Sequence, residues 1–228
     1  MPKNLKAKWT FGNSKLLKSS RGKYRVMGFS VPADHDFTVK GQRLNTCPQA
    51  LACRGVCYAK QGRYRMDNVA HARKHNLRMS LRSTFVKLIT ADLQQMVVKS
   101  KVCRKPYIVV RLHDSGDFYR QEYLDAWSAI AATFPHVIFY AYTKSLHLDF
   151  SAIPSNLRIT RSQGGKLDKL IPLGLPNSRI FSSHAARKRA GYVDGNASDI
   201  PAIEGVTSIG LTYHGNRGLT AAQEKFFS

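Results

Sequence analysis

The chain has 228 residues, enough to bury one sizeable core, so a single domain is the default. Its 43% hydrophobic content is that of a globular protein, and no stretch approaches the roughly 18 apolar residues of a membrane span. Against 14 Asp and Glu stand 36 Lys and Arg, a formal charge of +22, which repels itself unless a polyanion relieves it; nucleic acid is the expected partner.

Residues 1–22 read as a basic, partly extended arm with Gly12, Asn13, Ser19 and Ser20 as breakers, and 23–228 as one α/β domain. Met1 to Arg25 has no apolar run and so no signal-peptide pattern, which makes the cytoplasm the expected compartment. Tyr24 to Val31 alternates as a first strand and Pro32 ends it.

A loop follows with Cys47, Cys53 and Cys57, three of the four cysteines within eleven residues. In a reducing compartment, clustered thiols point to a metal or an iron–sulfur cluster more than to disulfides. Arg54, Lys60 and Arg63 are expected to offset the charge of a thiolate-ligated cluster and lower the thiol pKa values. Three thiols leave one coordination position for a fourth ligand. The plain alternative is small, buried cysteines without a special role.

Asn68 to about Lys99 lacks Pro and Gly and reads as one long helix, with Asp67 as N-cap and a break placed near Thr90-Ala91-Asp92. Its apolar stripe is Leu77, Leu81, Phe85, Leu88, Leu93, Met96 and Val97. Its basic face holds His71, Arg73, Lys74, Arg78 and Arg82. Arg63, Tyr64, Arg73, Lys74 and Arg78 are the candidate nucleic-acid contacts, cations for phosphates with an aromatic for a base. His71 and His75 lie one turn apart but lack an evident third ligand, so a solvated face is preferred over a zinc pair.

Pro106 to Leu112 reads as a buried strand, Gln121 to Thr133 as a helix, and Val137 to Tyr142 and Leu157 to Arg161 as further strands. Ser178 to Ser183 is a candidate fifth strand. Strand–helix–strand alternation with short loops predicts a parallel α/β sheet, whose chemistry gathers at the carboxyl ends of the strands. Those ends carry the Cys loop, His113 to Asp117, Thr143-Lys144-Ser145 and Ser162 to Gly165. Cys103 precedes the second strand and is therefore left out of the cluster. His214 to Gly218 reads as a loop rather than a phosphate cradle, and Gly164-Gly165-Lys166 lacks the spacing of a P-loop.

A Cys-rich loop ending in Cys57-Tyr58-Ala59, then a helix and a strand ending in Ser115-Gly116-Asp117, resembles the radical SAM superfamily. That resemblance implies a partial or complete (β/α) barrel with a [4Fe-4S] cluster on Cys47, Cys53 and Cys57 and S-adenosylmethionine on the open iron. It implies that Ser115, Gly116 and Asp117 bind the methionine amino group; His113 or Asp114 are alternatives for the fourth ligand.

The closer resemblance is to the phage family named after gene product eighty-eight. It is carried by Asn45-Thr46-Cys47-Pro48, Cys53 to Ala59, Arg111 to Tyr119 and Tyr140 to Ser145, within residues 24–183. It implies a phage origin, the host cytoplasm and a cluster-bearing fold, but no settled activity. The spacing here is Cys-x5-Cys-x3-Cys rather than the Cys-x3-Cys-x2-Cys usual in radical SAM proteins, and the expected C-terminal cysteines are absent. Two readings follow. One is a [4Fe-4S] protein that binds nucleic acid, with radical SAM-like catalysis as an open question. The other is a non-catalytic, basic nucleic-acid binder with a structural zinc or a redox-sensing cluster.

Overall fold

A computed structural model describes residues 6–102 and 107–213. Cys103 and the segment His214 to Gly218 lie outside the described residues.

The basic N-terminal stretch holds a short helix, α1 (Ser14–Ser19), whose N-cap Asn13 accepts a hydrogen bond from the Lys15 amide at 2.9 Å. Before it, Thr10 bridges Gly28 through two backbone bonds of 2.8 and 2.9 Å, and Ala7 is buried. β1 (Tyr24–Phe29) follows, then the hairpin of β2 (Asp36–Val39) and β3 (Gln42–Asn45). Lys40 and Gly41 turn that hairpin with φ of 48° and 78°, the positive pair that two-residue hairpins favour. The Cys loop is then wound into short 3-10 turns at Ala52–Arg54, Tyr58–Lys60 and Gly62–Arg65.

The long helical stretch divides into α2 (Asp67–Ser80) and α3 (Phe85–Val102). The break falls at 81–84, not at Thr90-Ala91-Asp92. Asp92 stays helical because its carboxylate is buried and accepts the Ala7 amide at 2.8 Å, a partner from outside the helix that sequence periodicity does not show. Asp67 is the first helical residue rather than the cap; Met66 caps without a side-chain bond. An acidic side chain there still meets the positive end of the helix.

β4 (Tyr107–Leu112), α4 (Gln121–Thr133), β5 (Ile138–Thr143), β6 (Leu157–Ser162) and β7 (Asn177–Phe181) follow the expected alternation. The chain then adds α5 (His184–Arg189), β8 (Val193–Asp194), α6 (Ile200–Glu204) and β9 (Ser208–Thr212). Seven strands in the order β1-β4-β5-β6-β7-β9-β8 form one curled parallel sheet, a half-barrel. The partial (β/α) barrel expected from the sequence is therefore the observed fold.

The period-2 alternation of the strands sorts two cores. Met27, Phe29, Val110, Leu112, Phe139 and Ala141 face outward onto α3 and α4, around the buried Trp127. Val26, Val109 and Tyr140 face inward, where Leu16 of α1 and Ile203 of α6 cover them. Arg111 pairs in register with Tyr140 and with Gly28, and follows Val109 on the same inward-facing alternation. A charged residue in an otherwise apolar strand thus reaches the inside of the half-barrel.

Candidate functional site

A cleft of about 1060 Å³ opens across the carboxyl ends of the strands. Ser30 after β1, His113 to Asp117 after β4, Lys144 after β5 and Ser162 of β6 all line it, as the parallel topology requires. Cys47, Cys53 and Cys57 line it too, so the three thiols expected to act together face one space.

The Cys loop is held in place over its first half. At its start Asn45 accepts the Cys47 amide at 2.7 Å, and the Asp34 amide donates to the Cys47 sulfur at 3.3 Å. Further on, Ala50 bridges Gly165, Leu51 donates to the Gly164 carbonyl at 3.3 Å, and Lys166 donates to the Gln49 carbonyl at 2.9 Å. The loop therefore lies on the turn after β6. Gly165 is required there by proximity, since a Cβ would come within 3.0 Å of the Gln49 carbonyl oxygen.

The electrostatics of the loop differ from the sequence expectation. Burial pushes the Cys47 thiol up to about 12, helped by Asp117 and by the neighbouring Cys57 and Cys53. Burial raises Cys57 as well. Lys60 lowers Cys57 but does not overcome its burial, and both Lys60 and Arg54 pair with Asp34, at 2.7 and 3.2 Å. Burial pushes the Asp34 carboxyl up, but the Lys60 hydrogen bond and the two cations hold it below its ordinary value.

Three soft sulfur donors on one wall suit iron chemistry. Among the described residues, no three His, Cys, Asp or Glu side chains converge closely enough to hold a metal ion.

The turn after β4 is built from the side chains it was expected to offer. Gly116, at φ 80°, packs so closely that a Cβ would lie 2.3 Å from Val31 Cγ2. Ser115 Oγ donates to the Val31 carbonyl at 2.7 Å. Asp117 accepts the Thr143 hydroxyl at 2.6 Å and the amides of Phe118 and Lys144 at 2.7 and 2.8 Å. Burial raises the Asp117 pKa against those bonds. Asp114 accepts from Ser30, Asn13 and Tyr64 and pairs with Arg73 at 3.5 Å, while its carbonyl accepts the Tyr58 hydroxyl. Both carboxylates are thus taken up by partners within the chain.

His113 sits at φ 64°, buried, with Nε2 3.0 Å from the Tyr123 hydroxyl and its ring edge-on to Phe118 at 4.7 Å. Burial pulls its pKa down to about 3, so it is neutral, and its Nδ1 is buried without a partner. Of the proposed fourth ligands, only His113 keeps an unused donor atom.

Beneath the cleft lies a charge cluster that sequence reasoning missed. Arg111 Nη1 and Lys15 Nζ flank the Asp199 carboxylate at 2.7 and 2.9 Å, and the Tyr140 hydroxyl donates to it at 2.9 Å. The signal was there in Arg111, an arginine set in an apolar strand, but its acid partner lies 88 residues away. Burial lowers the Lys15 pKa although Asp199 opposes it.

The candidate nucleic-acid residues separate into two places. Arg63, Tyr64 and Arg73 line the cleft, whereas Lys74 and Arg78 are exposed on α2 outside it. Tyr64 is not a free stacking platform: Arg73 covers it at 4.3 Å and Tyr58 meets it edge-on at 5.4 Å. His71 and His75 each meet a different backbone carbonyl, of Asp67 at 2.8 Å and of Lys6 at 2.9 Å. Among the described residues no helix is long and apolar enough to cross a membrane.

The family described as Gene product 88 matches residues 4–218. The chain is 30% identical over 138 residues to the Gene 88 protein of Mycobacterium phage D29, covering 53% of this chain and 58% of that protein. It is 31% identical over 133 residues to the Gene 88 protein of Mycobacterium phage L5, covering 51% of this chain and 56% of that protein. The matched stretch is thus little more than half the length of these curated relatives. No solved structure matches the chain.

Proposed function

The chain belongs to the Gene product 88 family, and we propose that it is a phage protein that carries a [4Fe-4S] cluster on Cys47, Cys53 and Cys57 and binds nucleic acid. The observation that supports this most is that all three thiols line one cleft at the carboxyl ends of a parallel half-barrel. Such a cluster would supply an electron and an open iron at the cleft wall. The chain's own residues fix the loop through Gln49, Gly164 and Lys166 and leave the three thiols half-buried.

Catalysis of the radical SAM type has less support than cluster binding. The Ser115 hydroxyl and the Asp117 carboxylate are consumed by internal hydrogen bonds, so they are poor ligands for a methionine amino group. That observation favours a cluster-bearing binder as the second reading. Nucleic-acid binding rests on the +22 charge and on exposed Arg63, Lys74 and Arg78.

Anaerobic purification with iron, sulfide and zinc analysis tests the cluster. About four irons and four sulfides per chain are expected; a colourless protein with one zinc removes the cluster. Adding S-adenosylmethionine to the reduced protein then separates the two readings: 5′-deoxyadenosine marks the enzyme, and no cleavage marks the binder.

A further inference from the structure

The cleft has an acidic deficit that neither the cluster nor the surface charge requires. Lys8, Lys15, Arg63, Arg73, Arg111 and Lys144 line it against two carboxylates, Asp114 and Asp117. Arg73 pairs with Asp114, and Asp117 is occupied by Thr143 and two amides. At the floor, one carboxylate, Asp199, serves both Lys15 and Arg111. Two cations on one buried anion leave a net positive charge where water screens poorly.

The floor also holds an unused hydrogen-bond donor. Arg111 is 6% exposed and its Nε is buried without a partner. The Tyr142 hydroxyl, on the neighbouring strand, is buried beside Asp199, its nearest hydrogen-bonding group. The Arg111 guanidinium lies 5.8 Å from the Tyr142 ring, and so does Lys15 Nζ, so the three groups form one cluster. A buried, unpaired donor beside surplus positive charge calls for an anionic acceptor. Guanidinium, ammonium and phenol together are the chemistry of a phosphate site.

We propose that Arg111, Lys15 and Tyr142 bind the terminal phosphate of a nucleotide-sized ligand that enters the cleft. A cleft of about 1060 Å³ admits one nucleotide and its phosphate. The phosphate belongs to a free mononucleotide or to the end of a single strand, and both present the same dianion. The site stands on the cleft alone, so it survives loss of the cluster and the cluster survives loss of it.

Calorimetric titration of the full-length protein tests this with adenosine, adenosine 5′-monophosphate, inorganic phosphate, and a short single-stranded oligonucleotide with and without a 5′-phosphate. The monophosphate is expected to bind at least about ten times more tightly than the nucleoside, with inorganic phosphate competing. Lys15→Met is expected to weaken the monophosphate about tenfold and Tyr142→Phe several-fold, each with its melting temperature measured. Tyr142→Phe removes only the hydroxyl, so it keeps the test alive where Lys15→Met unfolds the chain. A preference for the 5′-phosphorylated strand identifies a strand end as the source; binding of the mononucleotide alone identifies the free ligand. Equal binding of nucleoside and monophosphate, or unchanged affinity in a folded Tyr142→Phe protein, overturns the proposal.

Discussion

His113 is a candidate ligand that is also buried in the core. Burial holds its pKa near 3 against an ordinary 6.5, so the folded chain resists protonation that the unfolded chain accepts. The folded pKa is depressed, so its contribution is fully present above about pH 6.5 and fades as pH falls toward 3. Each pH unit in that window costs about 1.4 kcal/mol at most. Asp117, with its raised pKa, works in the opposite direction, so the comparison must be between variants. Urea unfolding at pH 7 and pH 5 is expected to show a smaller pH-dependent loss in His113→Gln than in the parent; parallel losses in the two proteins contradict this account. Gly116 makes a second residue-scale case. Alanine there meets Val31 and a positive φ together, and Gly116→Ala is expected to lower stability by about 2–4 kcal/mol in the same assay.

At the scale of elements, what the sequence made legible follows from what is local. The alternation of β1, β4, β5 and β6 and the stripe of α4 are local patterns, and the parallel half-barrel could be read from them. The α2–α3 break was misplaced because Asp92 looked like a breaker and proved to be a buried anchor for Ala7. α1, α6 and β9 were missed because each is short and takes its stability from non-local packing: Leu16 and Ile203 cover the inner sheet face. The three thiols were legible by composition, whereas Lys15, Asp199 and the docking of the loop on Gly165 come together only through topology.

Two elements can be tested directly. Asp199 joins α1, β4 and β5, and Asp199→Asn leaves Lys15 and Arg111 without their anion, which is expected to cost about 3–5 kcal/mol by chemical denaturation. Gly165→Val is expected to lift the Cys loop off its seat and lower iron content while circular dichroism stays unchanged, because the obstruction is local to Gln49 and Lys144.

At the scale of the whole molecule, charge and cleft divide the work. The +22 charge spreads over the surface, and exposed Lys74 and Arg78 contact solvent, not the cleft. The nucleic-acid role proposed for them is electrostatic, so affinity for duplex is expected to fall steeply with salt, and Lys74→Gln with Arg78→Gln to reduce the logarithmic slope by about two. Binding that is insensitive to salt contradicts a surface role. The cleft, by contrast, gathers the thiols, the neutral His113 and the basic floor at the strand ends.

The most direct test of the central claim is the iron and sulfide content of anaerobically purified Cys47→Ser, Cys53→Ser, Cys57→Ser and Cys103→Ser proteins beside the parent. Each of the first three is expected to lose most of its iron, and Cys103→Ser to keep the parent's full complement. Iron retained in all of the first three, or lost with Cys103→Ser, contradicts a cluster held by the three thiols of the cleft.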